Sequence, residues 1–259
     1  RHVIENQLVE QDGAWTVDWA DFEEKLRSAD IFLLCNPHNP LGIVWTEEEL
    51  RRMMELCLKH HVLVVSDEIH SDLIFHGKRH IPTASLSPEI AANVVTGISA
   101  TKTFNLAGLV GSYHIIYNSW LRDRCDKEGS LSHYNAMNVM SMHALLGAYR
   151  PEGYEWVEEL RQVITGNVDF ACDYIAKHFN GVDVSRPQGT YMLFLDCGEW
   201  LTAHGKTMDE LLAAGWDVGV IWQDGRAFHG QTHIRMNLAL PLSRVQEAFR
   251  RLDTYVFNA

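Results

Sequence analysis

Positive charge is scarce in this chain. Lys and Arg number 22 against 34 Asp and Glu, which leaves a net charge of −12 at neutral pH. Proteins that track a nucleic-acid backbone rely on clustered positive charge, so that class is excluded. One anionic small molecule is not excluded, because it needs only a local site. Long apolar runs are missing too, and no stretch approaches the roughly 20 residues of a membrane-spanning helix. Cysteines are few and scattered (Cys35, Cys57, Cys125, Cys172, Cys197), odd in number and without a Cys-x-x-Cys pair. That excludes a disulfide framework and reads as buried or free thiols in a reducing cytoplasm. Internal repeats and low-complexity segments are absent. The 14 histidines form no spacing that offers three or four ligands together, and no metal site is expected.

What is present is a chain of 259 residues with 46% hydrophobic content, enough to bury a substantial core. Apolar runs at Ile31–Cys35, Val62–Val65, Val94–Ile98 and 111–117 predict strands. Thr46 with Glu49 forms a capping box, starting a helix whose apolar positions Leu50, Met53, Met54, Cys57 and Leu58 make one face. That methionine-rich stripe reads as core packing. Helices are expected over 134–149 and from Pro151 to about Phe179. Shorter strands follow over 191–195, 218–222 and 233–238, with a helix over 208–214. Ser243 with Gln246 is expected to cap a final amphipathic helix. The pattern predicts a large α/β domain with a mostly parallel sheet over 1–155 and a smaller α+β domain over 156–259.

Three strand ends carry chemistry. The run Ile31-Phe-Leu-Leu-Cys-Asn36-Pro-His-Asn39-Pro-Leu-Gly42 enters two Asn-Pro pairs, which stiffen the backbone at Asn36 and Asn39. Asn39 is either part of a plain turn or a fixed amide donor. The second run ends in Ser66-Asp67-Glu68-Ile69-His70, where Asp67 is either an N-cap or an acid able to hold a protonated heteroaromatic nitrogen. The third, Val94-Val-Thr-Gly-Ile-Ser99-Ala-Thr101-Lys102, puts an amine at a strand end, where open α/β sheets bind ligands. A partly desolvated lysine there can attack a carbonyl and form a Schiff base. The three positions lie 28 and 35 residues apart, room for one crossover each and a return to the same sheet edge. Glu68 reads as structural. The loop from Gly225 to Gly230 is either a surface turn or part of a substrate pocket.

The runs CNPHNPLGIVWTEEEL, VVSDEIHSDLIF, GISATKTFNLAGL, RPQGTYMLFLDC and HIRMNLALP resemble, in order and spacing, the fold-type I pyridoxal-phosphate (PLP) enzymes of the aspartate-aminotransferase superfamily. They are most similar to its cystathionine β-lyase or C–S lyase branch. The resemblance implies PLP as cofactor, with Lys102 forming the Schiff base and serving as general base and acid at Cα. It implies Asp67 on the pyridine nitrogen, Asn39 and His70 at the phenolic oxygen, Ile69 under the ring, and Ser99 and Thr101 at the phosphate. Arg235 would clamp the substrate α-carboxylate, with Asn39 beside it. Val110 stands where many aminotransferases carry a phosphate-binding arginine.

The implied activity is β-elimination from an L-amino acid thioether, releasing thiol, pyruvate and ammonia. A class I/II aminotransferase is the alternative, and an inactive fragment or regulatory relative is a second one. A cytoplasmic homodimer acting on a small-molecule substrate, with no nucleic acid or membrane partner, is expected. Family members also carry a segment ahead of the part matching Arg1, with a phosphate-binding loop and a stacking aromatic. This chain, beginning with Arg, is therefore expected to be a fragment or processed product.

Overall fold

The structure, a computed structural model, describes residues 1–11, 14–132 and 136–258. The chain divides into two compact units. The first comprises residues 1–37, 44–74 and 79–157, and the second residues 38–43, 75–78 and 158–259.

The first unit opens with an antiparallel pair, β1 (Leu8–Gln11) and β2 (Ala14–Val17), followed by helix α1 (Trp19–Leu26). Its main sheet holds β3 (Ile31–Cys35), β4 (Leu63–Asp67), β5 (Val94–Ile98) and β6 (Tyr113–Ile116) in that spatial order. The first three are parallel and β6 joins antiparallel. Helix α2 (Glu47–Lys59) connects β3 to β4, and α3 (Pro88–Ala92) precedes β5. The capping box is present, with the Thr46 side chain accepting from Glu49 N and the Glu49 carboxylate accepting from Thr46 N. Leu50, Met53, Met54 and Cys57 are buried on one face of α2, as its spacing predicts, and Leu58 is half-buried. Trp45 fixes the entry to this helix by donating its indole N–H to Cys35 O at 2.9 Å. One face of β3 is less covered, leaving Ile31 and Leu33 exposed.

Beyond β5 lie the single turn α4 (Ala100–Thr103) and helices α5 (Ser119–Ser132), α6 (Val139–Ala148) and α7 (Pro151–His178). Of the helix expected over 134–149, residues 134 and 135 lie outside the described residues. The helix itself begins at Val139, where Asn138 caps it by accepting from Ser141 N at 2.9 Å. The division between the units falls within α7.

The second unit carries an antiparallel sheet in the order β7 (Asp183–Val184), β8 (Met192–Asp196), β10 (His233–Asn237), β9 (Gln223–Asp224). Helices α8 (Gly198–His204), α9 (Met208–Asp217) and α10 (Leu242–Leu252) complete it. Its buried residues include Ile164, Val168, Leu193, Leu195, Ile234 and Phe249. Asn167, buried on α7, donates to Leu238 O and Leu240 O at 2.8 and 2.7 Å, fixing the chain after β10.

Two local expectations are corrected. Residues 218–222 form no strand, because they are taken up in ending α9. Gly219 adopts φ +77° and donates to Trp216 O, while Val220 N donates to Gly215 O at 2.8 Å. This is the paired reversal of a Schellman motif, and the strand starts only at Gln223. Ser243 does not cap α10 either. The helix already begins at Leu242, with Pro241 in the capping position and no side-chain cap. Ser243 therefore sits inside the first turn, beyond reach of capping geometry. The fold-class expectation, a mostly parallel α/β sheet together with an α+β region, is borne out.

Candidate active site

Strand register brings the first group together. Cys35 is level with Asp67, and Asp67 with Gly97, so the carboxyl ends of β3, β4 and β5 align. The chain leaving each strand is tied to its neighbour: Asn36 N donates to Asp67 O and Glu68 N to Gly97 O, both at 2.9 Å. Asp67, Ile69, His70, Ser99, Thr101 and Lys102 all follow from this one edge.

Asp67 is exposed, and one of its carboxylate oxygens accepts from Ile69 N at 3.2 Å. That Asx-type turn aims the chain without burying the acid. Ile69 is half-buried and His70 is 3% exposed. Ser99 caps α4, its oxygen accepting from Thr101 N at 3.1 Å. The Ser99 hydroxyl also donates to Gly111 O at 2.5 Å and lies 2.8 Å from the Thr101 hydroxyl. With the Ser99 proton on Gly111, the Thr101 proton goes to Ser99, so both hydroxyls serve the loop in this arrangement. Lys102 is half-buried on α4, and among the described residues no carboxylate forms an ion pair with it. Thr103 next to it donates to the Asp72 carboxylate at 2.8 Å, pinning the lysine's turn to the segment that follows His70. Phe104 anchors the other side, stacked on Trp156 with ring centroids 6.1 Å apart and edge-on to Tyr149. Burial, with the hydrogen bond from Tyr113, pushes the Tyr149 phenol up.

Beneath Asp67 lies a buried polar cluster. Glu68 is 1% exposed, and one carboxylate oxygen accepts from the Ser66 hydroxyl at 2.9 Å and Thr83 N at 3.0 Å. The other is 2.9 Å from His80 Nε2. Burial alone would push the Glu68 carboxyl up, but His80 and the Thr83 and Ser66 donors bring it net below its ordinary value. Asn36 joins the cluster by donating to Ile81 O and the Thr83 hydroxyl. The cluster braces the turn between Asp67 and His70. Sequence spacing offers no signal for this pair, because Glu68 and His80 lie 12 positions apart across a loop.

The second unit carries Asn39 and Arg235. The turn over 38–43 is docked by Gln188 N and Gly189 N, both donating to Gly42 O. Gly42 has φ +68°, and a Cβ there would lie 2.3 Å from Pro187 Cβ, so the position requires glycine. Arg235, on β10, donates from Nη1 to the Asn39 side-chain oxygen at 3.2 Å and from Nε to Gln223 at 2.8 Å. Its guanidinium carbon lies 4.3 Å from the Phe228 ring centre. Burial lowers the guanidinium from its ordinary value, although an arginine stays charged at neutral pH. Gly225–Phe228, between β9 and β10, is a 3₁₀ turn capped by Asp224, which accepts from Arg226 N. Gln223 went unread in the sequence, where only strand register reveals it, and Phe228 was covered only as part of the loop from Gly225 to Gly230.

Among the described residues, no group of three or more His, Cys, Asp or Glu side chains is placed to hold a metal ion, and no helix is long and apolar enough to cross a membrane.

Residues 4–252 match the family model "Aminotransferase class I and II". The chain is 36% identical over 256 residues to cystathionine beta-lyase PatB of Bacillus subtilis, covering 97% of this chain and 65% of that protein. It superposes with a TM-score of 0.92 on a PLP-bound putative aminotransferase from Clostridium difficile 630, at 36% identity, covering 98% of this chain and 66% of the other. Cystalysin from Treponema denticola, solved with pyridoxal 5′-phosphate, gives a TM-score of 0.91 at 29% identity, covering 99% and 65%. The chain thus spans about two thirds of the length of these relatives. With the motifs in order, the sheet edge they decorate and a family match over nearly every residue, the chain belongs to the class I and II aminotransferases, the fold-type I PLP-dependent enzymes.

Proposed function

We propose that the chain acts as a PLP-dependent C–S β-lyase that converts an L-amino acid β-thioether and water into a thiol, pyruvate and ammonia. Cystathionine is the leading substrate. The observation that carries this reading is the 36% identity, over 97% of the chain, to a cystathionine β-lyase.

The side chains present fit the cofactor. The exposed Asp67 carboxylate suits a protonated ring nitrogen, with which it would form a charge-assisted hydrogen bond. Lys102, half-buried and without a carboxylate partner among the described residues, suits a carbonyl carbon. Ser99 and Thr101 can turn their hydroxyls from the loop toward a phosphate. Ile69 would pack under the ring, and His70 and Asn39 would address its phenolic oxygen. When bound, PLP supplies an electron sink for the bonds at Cα.

The chain's own residues do the rest. Arg235, steadied by Asn39, holds the substrate α-carboxylate. The Lys102 amine takes the proton from Cα, the Cβ–S bond breaks, and the ammonium so formed returns a proton to the departing sulfur. Asp67 keeps the ring nitrogen protonated throughout. We extend the reading to a cytoplasmic homodimer, on the strength of a family whose members are typically oligomeric.

An aminotransferase is the second reading, favoured by the C. difficile neighbour at 36% identity. Product analysis separates the two. Pyruvate formed from cystathionine without a keto-acid acceptor supports the lyase, whereas strict dependence on an acceptor overturns it. Added PLP should give a visible absorption band and, after borohydride reduction, a covalent adduct at Lys102. Both should vanish in Lys102→Ala. A chain that shows neither is an incomplete or non-catalytic relative.

A further inference from the structure

Arg235 is held before any ligand arrives. In the β9–β10 pairing its partner across the strands is Gln223, so the two side chains start as neighbours on one face. The Gln223 side-chain oxygen accepts from Nε at 2.8 Å and also from Nη2. Those two N–H groups point the same way and form the side-on edge of the guanidinium, the edge a carboxylate would otherwise take in bidentate fashion. Asn39 takes one N–H of Nη1 at 3.2 Å. Phe228 lies against one flat face and is braced edge-on by Phe194, with ring centroids 6.4 Å apart. Among the described residues three of its five donors are thereby engaged, which leaves one N–H on each terminal nitrogen.

The charge at this position is also kept. Arg226, in the neighbouring turn, is paired with Asp209 and Asp224 at 2.5 and 2.7 Å. Among the described residues Arg235 has no carboxylate partner, and its anchor is a neutral amide.

We propose that Gln223 is a positioning residue for carboxylate recognition: it occupies the side-on edge of Arg235, so that the substrate carboxylate is met by the terminal Nη nitrogens, and it does so without cancelling the charge. The proposal rests on the carboxylate-binding role given to Arg235 above. It makes the residue type at 223 a determinant of affinity. A glutamate would hold the same edge but pair with the cation and repel an incoming anion. An alanine would leave the guanidinium free to turn.

The test compares Gln223→Glu, Gln223→Ala and Arg235→Ala with the unsubstituted protein. Gln223 is exposed, so these changes spare the core. Gln223→Glu should raise KM by about tenfold or more with kcat nearly unchanged, and weaken competitive inhibition by propionate but not by propionamide. Gln223→Ala should raise KM less. In the cofactor-free protein, hydrogen exchange at Arg235 Nε–H, read by NMR of 15N-arginine-labelled protein, should accelerate in Gln223→Ala and not in Gln223→Glu. The proposal is overturned if Gln223→Glu leaves KM and propionate inhibition unchanged while Arg235→Ala raises KM and weakens that inhibition. If Arg235→Ala itself changes neither, the reading of Arg235 has failed instead.

Discussion

Removing the Glu68 carboxylate should cost the first unit more stability than any surface change near the site. Its two oxygens accept from Ser66, Thr83 N and His80, all within 3.0 Å, in a position 1% exposed. Glu68→Ala leaves Thr83 N and the His80 ring N–H without that acceptor in the interior, at about 1–3 kcal/mol for each donor, while Ser66 keeps its contact with the Thr83 hydroxyl. Glu68→Gln is the informative comparison. The amide oxygen can keep the Ser66 and Thr83 bonds, but its NH2 group now faces His80 Nε2. The ring must then carry its proton on Nδ1, which is buried and has no hydrogen-bond partner among the described residues. One unsatisfied donor costs about 1–3 kcal/mol, so Glu68→Gln should fall between the parent and the alanine variant. The pH dependence has a definite sign. The folded carboxyl titrates below its ordinary value, so its stabilisation is complete above about pH 4.3 and is lost as the pH falls through the folded value. The gap between parent and Glu68→Gln should therefore narrow on acidification. Equilibrium urea melts followed by circular dichroism at pH 7 and in the acid range measure all three quantities. A loss under about 1 kcal/mol for Glu68→Ala at pH 7 would refute the assignment of a buried, hydrogen-bonded carboxylate.

Two further outcomes are expected. Gly42→Ala combines a left-handed backbone, about 1–2 kcal/mol for a residue with a Cβ, with an overlap against Pro187 of about 1–3 kcal/mol. The turn bearing Asn39 should loosen from Gly189, and a urea midpoint unchanged within error would sink this account. Thiol labelling at mildly alkaline pH should strike the exposed Cys125 first. Burial pushes the Cys57 thiol up to about 12 and Cys172 to about 11, so both should resist until the chain unfolds, and equal rates in the native protein would contradict the packing described.

How much of this was legible depends on the range of the interaction. The α2 capping box and the apolar faces of α2 and β4 are local patterns, and they appear in the structure where the spacing puts them. The three strand ends were legible because parallel strands with one crossover each return to the same edge, which the Cys35, Asp67 and Gly97 register shows. Residues 218–222 misled because an apolar run can end a helix as well as form a strand. Gly219, at positive φ, decided for the former. Ser243 misled because the proline two residues earlier starts its helix sooner than the hydroxyl could. The Glu68–His80 and Gln223–Arg235 contacts lay out of reach, since each depends on loop closure or strand register that no short motif encodes.

The bare face of β3 has a practical consequence. A strand in a parallel sheet normally has both sides covered, yet Leu33 is 74% and Ile31 47% exposed at the margin of the sheet. Such a margin offers unpaired peptide groups beside greasy side chains, the combination that lets one molecule template another. The colloidal behaviour of the isolated chain should thus be set by two adjacent aliphatic residues rather than by its large negative charge. Salt that screens the charge should promote self-association, and a lysine in place of Leu33 should delay it.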